Sequence, residues 1–292
     1  MNFAYYLHDE KSQEQFEQTL LWFKSRYNLV SINELREHVY EGKPLKNACM
    51  LSVDDGWRST YEVIYPVMKK HHVPFTIFVS PQVMETNSNF WYYTLRYCNE
   101  EEVKDILVKR GYFTEDVKKY PAELILKEIL IDEVYDVLNE YLKKHSEIEI
   151  PRGFMNTDEV LELHQSGLVE VGAHTLIHPI LKAEDSNRAQ KEIATSVEQL
   201  SDILGKQVTS FAYPNGIEGV DYSVRDEQYA KDAGIKMAFS VDPGVITHKT
   251  NPLSIPRWGS QARLRFGRWG MYLPSRANQS KIREQIRKCK RV

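Results

Sequence analysis

The sequence predicts an α/β protein, a barrel of parallel strands that carries a helical insertion. Three observations predict it. Short apolar runs of strand length alternate with helical patterns from end to end. The runs, such as 48–53 and 74–80, are continuously apolar rather than alternating, which is the pattern of parallel strands covered on both faces. The polar residues of greatest chemical interest follow directly after these runs, where barrel active sites lie. Seven candidate strands in 292 residues suit one barrel better than two nucleotide-binding domains, and no Gly-rich phosphate loop follows any of them.

The first strand spans 3–7 and ends at His8. Ser12 caps a helix to about 27, with Phe16, Leu20 and Phe23 at helical spacing. Ser31 and Glu34 form a capping-box pattern for a second helix, which Gly42 ends. Strand 48–53 follows, then a helix over about 59–71 that Pro66 bends or interrupts, then strand 74–80, stopped by Pro81. From 82 to 154 strand signals vanish, and Pro121 opens a long helix to about 144. This stretch is expected to be a mostly helical insertion over one rim of the barrel. Thr157 caps a helix to 165, ended by Gly167, and strand 168–173 runs into His174. Helix 186–204 is closed by Gly205, strand 209–213 is broken by Pro214, and helix 226–233 is ended by Gly234. Strands 237–241 and 253–256 complete the set. The expected organisation is one barrel domain over 1–260, with its insertion at about 82–154, and a basic tail over 261–292 whose helix begins near Gln279.

Composition narrows the function classes. Hydrophobic residues at 42% and charged residues at 27% describe an ordinary globular chain, and a net charge of -3 gives no general case for nucleic acid. The tail differs, with seven Arg and three Lys against the single acid Glu284. Cys49, Cys98 and Cys289 are sparse, odd in number and match no ligand spacing, which fits a reducing compartment. The N-terminus lacks a basic signal-peptide start and no stretch is long and apolar enough to span a bilayer, so the expected location is cytoplasmic.

Two stretches carry the chemistry. Ser52-Val53-Asp54-Asp55-Gly56 places adjacent carboxylates where a strand stops, and on an extended segment their side chains diverge. His174-Thr175-Leu176-Ile177-His178-Pro179 presents two imidazoles at i, i+4, the spacing of one side of a helical turn. One carboxylate and two imidazoles make a three-ligand metal set, and the spare carboxylate makes a base. Each stretch alone also reads as an ordinary turn or loop. Tyr213-Pro214-Asn215-Gly216 is either a turn or a set of N–H groups aimed at an oxyanion. Arg257-Trp258 is either surface structure or a cation and an aromatic wall of a sugar site. The aromatic cluster 90–93, with Trp91, either lines a substrate groove or packs the insertion.

Taken together and in this order, the two motifs resemble those of the polysaccharide deacetylase family, the NodB-homology group of carbohydrate esterase family 4. Its Thr-Phe-Asp-Asp-Gly-like motif stands here as Ser52 to Gly56, and its His-Ser/Thr-x-x-His-Pro motif as His174 to Pro179. The resemblance covers roughly 1–81 and 155–258. It implies the NodB fold, a distorted (β/α)7 TIM-like barrel, and one divalent ion, most often zinc, held by Asp55, His174 and His178. It also implies Asp54 as base and the backbone N–H of Tyr213 at the oxyanion. The third motif of the family usually carries an Arg that braces the base. The stretch 211–216 has none, and Arg257 is the expected replacement by reach. The usual C-terminal Leu-x-His motif, source of the acid, is also missing. The opening Tyr5-Tyr6-Leu7-His8 resembles the N-terminal strand of a circularly permuted branch that includes biofilm poly-N-acetylglucosamine deacetylases, which makes His8 the expected acid and His248 the second choice.

The function this implies is metal-dependent removal of an N-acetyl group from an amino sugar of a poly- or oligosaccharide, with Trp258, Asn215 and Trp91 at the sugar. Two alternatives are a deacylase or deformylase of a lipid- or nucleotide-linked sugar at the cytoplasmic membrane face, and a non-catalytic glycan-binding barrel. The basic tail, with Trp269 and Tyr272 among its cations, would give weak contact with an anionic membrane.

Overall fold

The computed structural model of the chain describes residues 1–7, 12–260 and 276–291. The described residues contain eight strands: β1 (Phe3–Leu7), β2 (Asn28–Leu29), β3 (Ala48–Val53), β4 (Phe75–Val79), β5 (Val169–Ala173), β6 (Ser210–Ala212), β7 (Met237–Phe239) and β8 (Trp258–Ser260). Their spatial order is β7-β6-β5-β4-β3-β1-β8, and short β2 pairs beside β3. Every pairing is parallel. Ile255 bridges Phe239 in parallel, and Ile255 and Ala238 exchange a backbone hydrogen bond of 2.8 Å. The segment from Ile255 to β8 therefore touches β7 at one end and β1 at the other, which closes a ring of seven strands distorted at this seam. The last strand was expected at 253–256. It lies at Trp258–Ser260, because Pro252 and Pro256 lack the N–H groups a ladder needs and only Ile255 pairs there.

Alternation along the strands sorts residues to two layers. Cys49, Leu51 and Val53 of β3 join Phe75, Ile77 and Val79 of β4 in an outer cluster with Phe16, Leu20 and Phe23 of the helix Gln13–Arg26. Ala48 and Met50 join Phe78, Ala212 and Phe239 inside the barrel. Space there is short: a Cβ on Gly172 would meet the Phe78 ring at 2.6 Å. Ile32, Leu35 and Val39 of the helix Ile32–Glu41 share the inner cluster, and Tyr40 donates to the carbonyl of Lys236 just before β7. That helix closes the N-terminal mouth, so only the C-terminal mouth is open to a substrate.

Several expected local features are present as read. Ser12 accepts from the Gln15 N–H, Ser31 and Glu34 form the capping box, and Gly42 and Gly205 end their helices with φ of 68° and 63°. Others differ. Before the helix Tyr65–Lys70 the chain makes a π-helical turn over Thr60–Ile64, ahead of Pro66. Asn156, not Thr157, caps the helix Thr157–Gln165 by accepting from Glu159 N–H. The final helix begins at Arg276.

Between β4 and the helix Thr157–Gln165 the described residues contain helices and no strand. They form their own core, including Trp91, Leu107, Phe113 and Leu138, and Ile286 of the helix Arg276–Lys288 packs into it. The single long helix expected after Pro121 is two helices, Ala122–Leu126 and Ile131–Lys144. The break has a cause. Arg283, 2% exposed, reaches between them to bind the Glu128 and Asp221 carboxylates and the Lys127 carbonyl. The second helix then restarts with the Leu130 N–H on Glu133 and the Ile131 N–H on Glu184. The C-terminal helix is thus docked, not a free basic arm. No helix among the described residues is long and apolar enough to cross a membrane.

Candidate active site

β3 delivers the two carboxylates differently. By strand parity Ser52 and then Asp54 face the barrel interior. There Arg257, fully buried, donates Nη1 to Asp54 Oδ1 and Nη2 to Oδ2, both at 2.7 Å. The same guanidinium donates to Ser52 Oγ at 3.0 Å and to the Ser240 carbonyl at 2.9 Å, and lies 5.5 and 5.7 Å from the Phe78 and Phe239 rings. Asp55 is not extended. Its φ of 70° is left-handed, which costs a non-glycine residue energy and turns its carboxylate away from that of Asp54.

Asp55 Oδ1 faces His174 Nε2 at 3.2 Å and His178 Nε2 at 3.3 Å. The i, i+4 pair does not sit on a helical turn. Residues 174–180 form an irregular loop in which Thr175 and His178 have φ of 64° and 62°, and the two rings meet with centroids 5.0 Å apart. A β-branched Thr in that region is strained, and the surroundings hold it there. Thr175 Oγ1 accepts from the His178 N–H, Glu192 accepts from the Leu176 and Ile177 N–H groups at 2.9 and 3.3 Å, and Trp91 Nε1 donates to the His178 carbonyl. Glu192 is 1% exposed and is itself paired with Arg188.

The electrostatics fit a cation. Burial alone would raise the Asp55 carboxyl, but hydrogen bonds from His174 and His178 hold it well below the usual range. Burial draws His174 toward neutrality, yet Asp55 and Asp54 lift it above its ordinary value, while burial keeps His178 below its own. His174 Nδ1 lies 2.7 Å from the Ala212 carbonyl, which keeps a proton on Nδ1 and makes Nε2 the nitrogen that would bind an ion. One donor atom from each of Asp55, His174 and His178 lies within 4.8 Å of the others. This set can hold a divalent ion.

The set opens into a cavity of about 230 Å³ that Asp54, Trp57, Tyr92, Lys127 and Asn215 also line. Three buried polar atoms at this cavity have no hydrogen-bond partner: His178 Nδ1, Tyr92 Oη and Asn215 Nδ2. Buried polar groups are normally paired, so three orphans in one cavity mark a place for a ligand.

A family model for polysaccharide deacetylase matches residues 41–238. The chain belongs to the polysaccharide deacetylase family. A poly-beta-1,6-N-acetyl-D-glucosamine N-deacetylase of Staphylococcus aureus is 27% identical over 192 residues, 57% of this chain and 64% of that protein. The match thus spans less than two thirds of these curated relatives. Among solved structures, the Streptococcus pyogenes deacetylase PplD in complex with acetate superposes with a TM-score of 0.60 at 18% identity, over 88% of this chain and 90% of that one. IcaB from Ammonifex degensii superposes with a TM-score of 0.58 at 16% identity, over 97% and 98%. At such identity the likeness is one of fold.

Within the deacetylase fold the other expected residues are placed unevenly. Tyr213 does not offer its N–H to the cavity. By strand parity it lies on the outer layer, its N–H donates to the Phe239 carbonyl at 3.1 Å, and its ring stacks on Tyr222 at 3.8 Å. Asn215, with φ of 58°, is the member of that turn that faces the cavity. His248 is exposed in the loop after β7, where Ile246 bridges Asn2. Asn2 precedes β1, so this loop lies at the N-terminal mouth, the wrong end for an acid. His8 lies outside the described residues. The last described residue before it, Leu7, pairs with Val53 beside Asp54. Trp91, 1% exposed, is in the cavity lining as expected and also ties down the His178 loop through its indole N–H. Trp258 donates to the Gly244 carbonyl and packs against the outer core, away from the cavity lining. Trp57 and Tyr92 are the other aromatic residues of the cavity lining. Sequence reading missed Trp57, although it follows Gly56 directly, and it missed Lys127 and Glu192, whose helical spacing looks like that of any surface residue.

Proposed function

We propose that the protein is a metal-dependent N-deacetylase that hydrolyses the acetamide of an N-acetylated amino sugar in a poly- or oligosaccharide, releasing acetate and the free amine. The observation that carries this reading is the division of labour between adjacent carboxylates: Asp55 faces two imidazoles, and Asp54 is gripped by a buried arginine beside them. Two imidazoles and one carboxylate suit zinc, which we take as the ion. A divalent ion bound there would polarise the carbonyl and make water acidic enough to deprotonate near neutral pH.

The side chains supply the rest. Asp54 takes the proton from the attacking water. Arg257 holds both Asp54 oxygens, so the carboxylate cannot rotate away. The Tyr92 hydroxyl, pushed well above its ordinary pKa by burial and the neighbouring Asp55, stays protonated and donates to the reacting carbonyl oxygen. The unpartnered Asn215 amide is the second donor in the part first given to the Tyr213 N–H. His8 protonates the leaving amine, a role supported by the β1–β3 register that brings Leu7 beside Val53.

The non-catalytic alternative rested on the missing third-motif arginine, and Arg257 stands in its place. Two of the cations that suggested membrane contact, Arg283 and Arg287, are engaged by Glu128 and Asp221. The membrane-linked reading therefore gains no support from them.

The experiment is acetate release from a β-1,6-linked N-acetylglucosamine oligomer with zinc-loaded and chelator-treated protein. Release that follows zinc supports the reading. A zinc-replete protein that frees no acetate from any N-acetyl sugar overturns it.

A further inference from the structure

The cavity beside the metal ligands does not end there. A second cavity of about 420 Å³, lined by Leu95, Arg96 and Glu100, shares Tyr92 and Glu123 with the neighbourhood of the first. The two form one groove over the insertion, and Glu123 stands where they join. Lys127, one helical turn on, lines the first cavity with its side chain only 9% exposed, and its ammonium donates to Glu123 Oε1 at 2.7 Å. A lysine ammonium has three N–H donors. Glu123 takes one of them, and no other partner of the ammonium is recorded among the described residues. Glu123 is half-exposed and has acceptor capacity to spare.

The position of this pair is built, not incidental. Lys127 is the first residue after the helix Ala122–Leu126, and its carbonyl is held by the buried Arg283, whose other contacts are Glu128 and Asp221. The insertion and the C-terminal helix, which the catalytic reading leaves without a task, meet at a residue that lines the first cavity.

We propose that Glu123 and Lys127 form the sugar-reading wall of the groove, and that they select an uncharged amino-sugar chain by bridging one sugar hydroxyl between carboxylate and ammonium. The inference rests on the deacetylase reading for what happens next to the wall, but not for the binding itself. Charge argues for a neutral chain. The Asp54 carboxylate is matched by Arg257, Glu123 by Lys127 and Glu100 by Lys104, and Arg96 lies over the Trp57 and Tyr93 rings, so the described lining holds no cluster of free cations for a phosphate or a carboxylate. A hydroxyl can donate to Glu123 and accept from Lys127 at once, whereas an anion would have to displace Glu123. The shared groove argues for a chain over a single sugar.

Calorimetric binding of a β-1,6-linked N-acetylglucosamine pentamer to the metal-free protein tests the wall without turnover. Lys127→Met and Glu123→Gln should each weaken binding about tenfold or more, the scale of a hydrogen bond to a charged group. Glu123→Gln should also shift preference toward an N-acetylmuramic acid-containing oligomer, because it leaves the Lys127 charge unmatched. A pair with only a structural role would lower the melting temperature and weaken both ligands alike, and that result overturns the proposal. So does wild-type protein that fails to bind the neutral pentamer, or variants that bind it unchanged. If the wild type binds through this pair yet releases no acetate once zinc is added, the wall stands and the deacetylase reading falls.

Discussion

Arg257 holds both oxygens of Asp54 at 2.7 Å from 203 residues away in the chain. The guanidinium fork matches the carboxylate, and its Nε–H is taken by the Ser240 carbonyl, so charge and geometry are fixed together. Lysine keeps the charge but cannot make the fork. Arg257→Lys should therefore lower kcat for acetate release by roughly 100-fold while one equivalent of zinc stays bound. Breaking a pair whose arginine is fully buried and whose carboxylate is 16% exposed should also lower stability, by about 3 kcal/mol for Arg257→Met. Steady-state kinetics, metal analysis and chemical denaturation measure the three effects. Wild-type kcat in Arg257→Lys would mean that Asp54 needs no brace.

Tyr92 packs its ring 5.0 Å from His178 and buries a hydroxyl without a partner. Tyr92→Phe keeps the ring and removes only the hydroxyl. The expected result is a fall in kcat of roughly 10–100-fold, the range for loss of one oxyanion donor, with little change in KM or zinc content. An unchanged kcat would assign Tyr92 to packing alone.

Glu192 orders the loop between the two histidines by accepting two of its N–H groups. Glu192→Ala leaves them unpaired next to strained Thr175 and His178. Zinc affinity, read by competition with a chromophoric chelator, should fall about 10–100-fold, as for other groups that orient ligands. Unchanged affinity would show that the loop holds itself.

Glu184 gives a pH signature. Burial pushes its carboxyl up to about 7 although it accepts the Ile131 N–H; Arg188 opposes the rise, and Glu192 and Asp132 add to it. A folded pKa above the unfolded one means that the folded state holds the proton more tightly. The contribution is complete below the unfolded value of 4.5 and is lost as pH rises through about 7. Screening by solvent reduces it to something on the order of 1–2 kcal/mol. Glu184→Gln mimics the protonated form, so its melting temperature should exceed that of the wild type at pH 8 and converge with it near pH 5. Parallel curves for the two proteins would remove Glu184 from the pH dependence.

Much of this site was legible because strand parity is a local rule. Apolar runs place β3, β4 and β5, and alternation through Ala48, Met50 and Ser52 carries Asp54 inward. The same rule puts Tyr213 on the outer layer with Phe211, so its assignment to the oxyanion contradicts a pattern already in the sequence. Other features depend on closure of the ring. Arg257 meets Asp54 only because the segment from Ile255 to β8 returns beside β1, and no spacing reports that. His248 fails because its loop runs to the opposite mouth. The i, i+4 spacing of the histidines suggested a helical turn, but Glu192, fourteen residues after His178, holds the loop open instead. Lys127 and Glu123 looked like an ordinary helical i, i+4 pair, and only the placement of the insertion turns them toward the cavity.

The central claim is that Asp55 with two histidines holds a metal while Asp54 moves the proton. Asp54→Asn separates the two roles, since asparagine keeps the shape and still meets Arg257 through its carbonyl oxygen. Acetate release from the β-1,6-linked oligomer, measured alongside zinc stoichiometry, gives the answer. The account predicts one zinc per chain in both proteins and loss of release in Asp54→Asn by at least about 1,000-fold. Release near the wild-type rate, or a variant that no longer binds zinc, would contradict it.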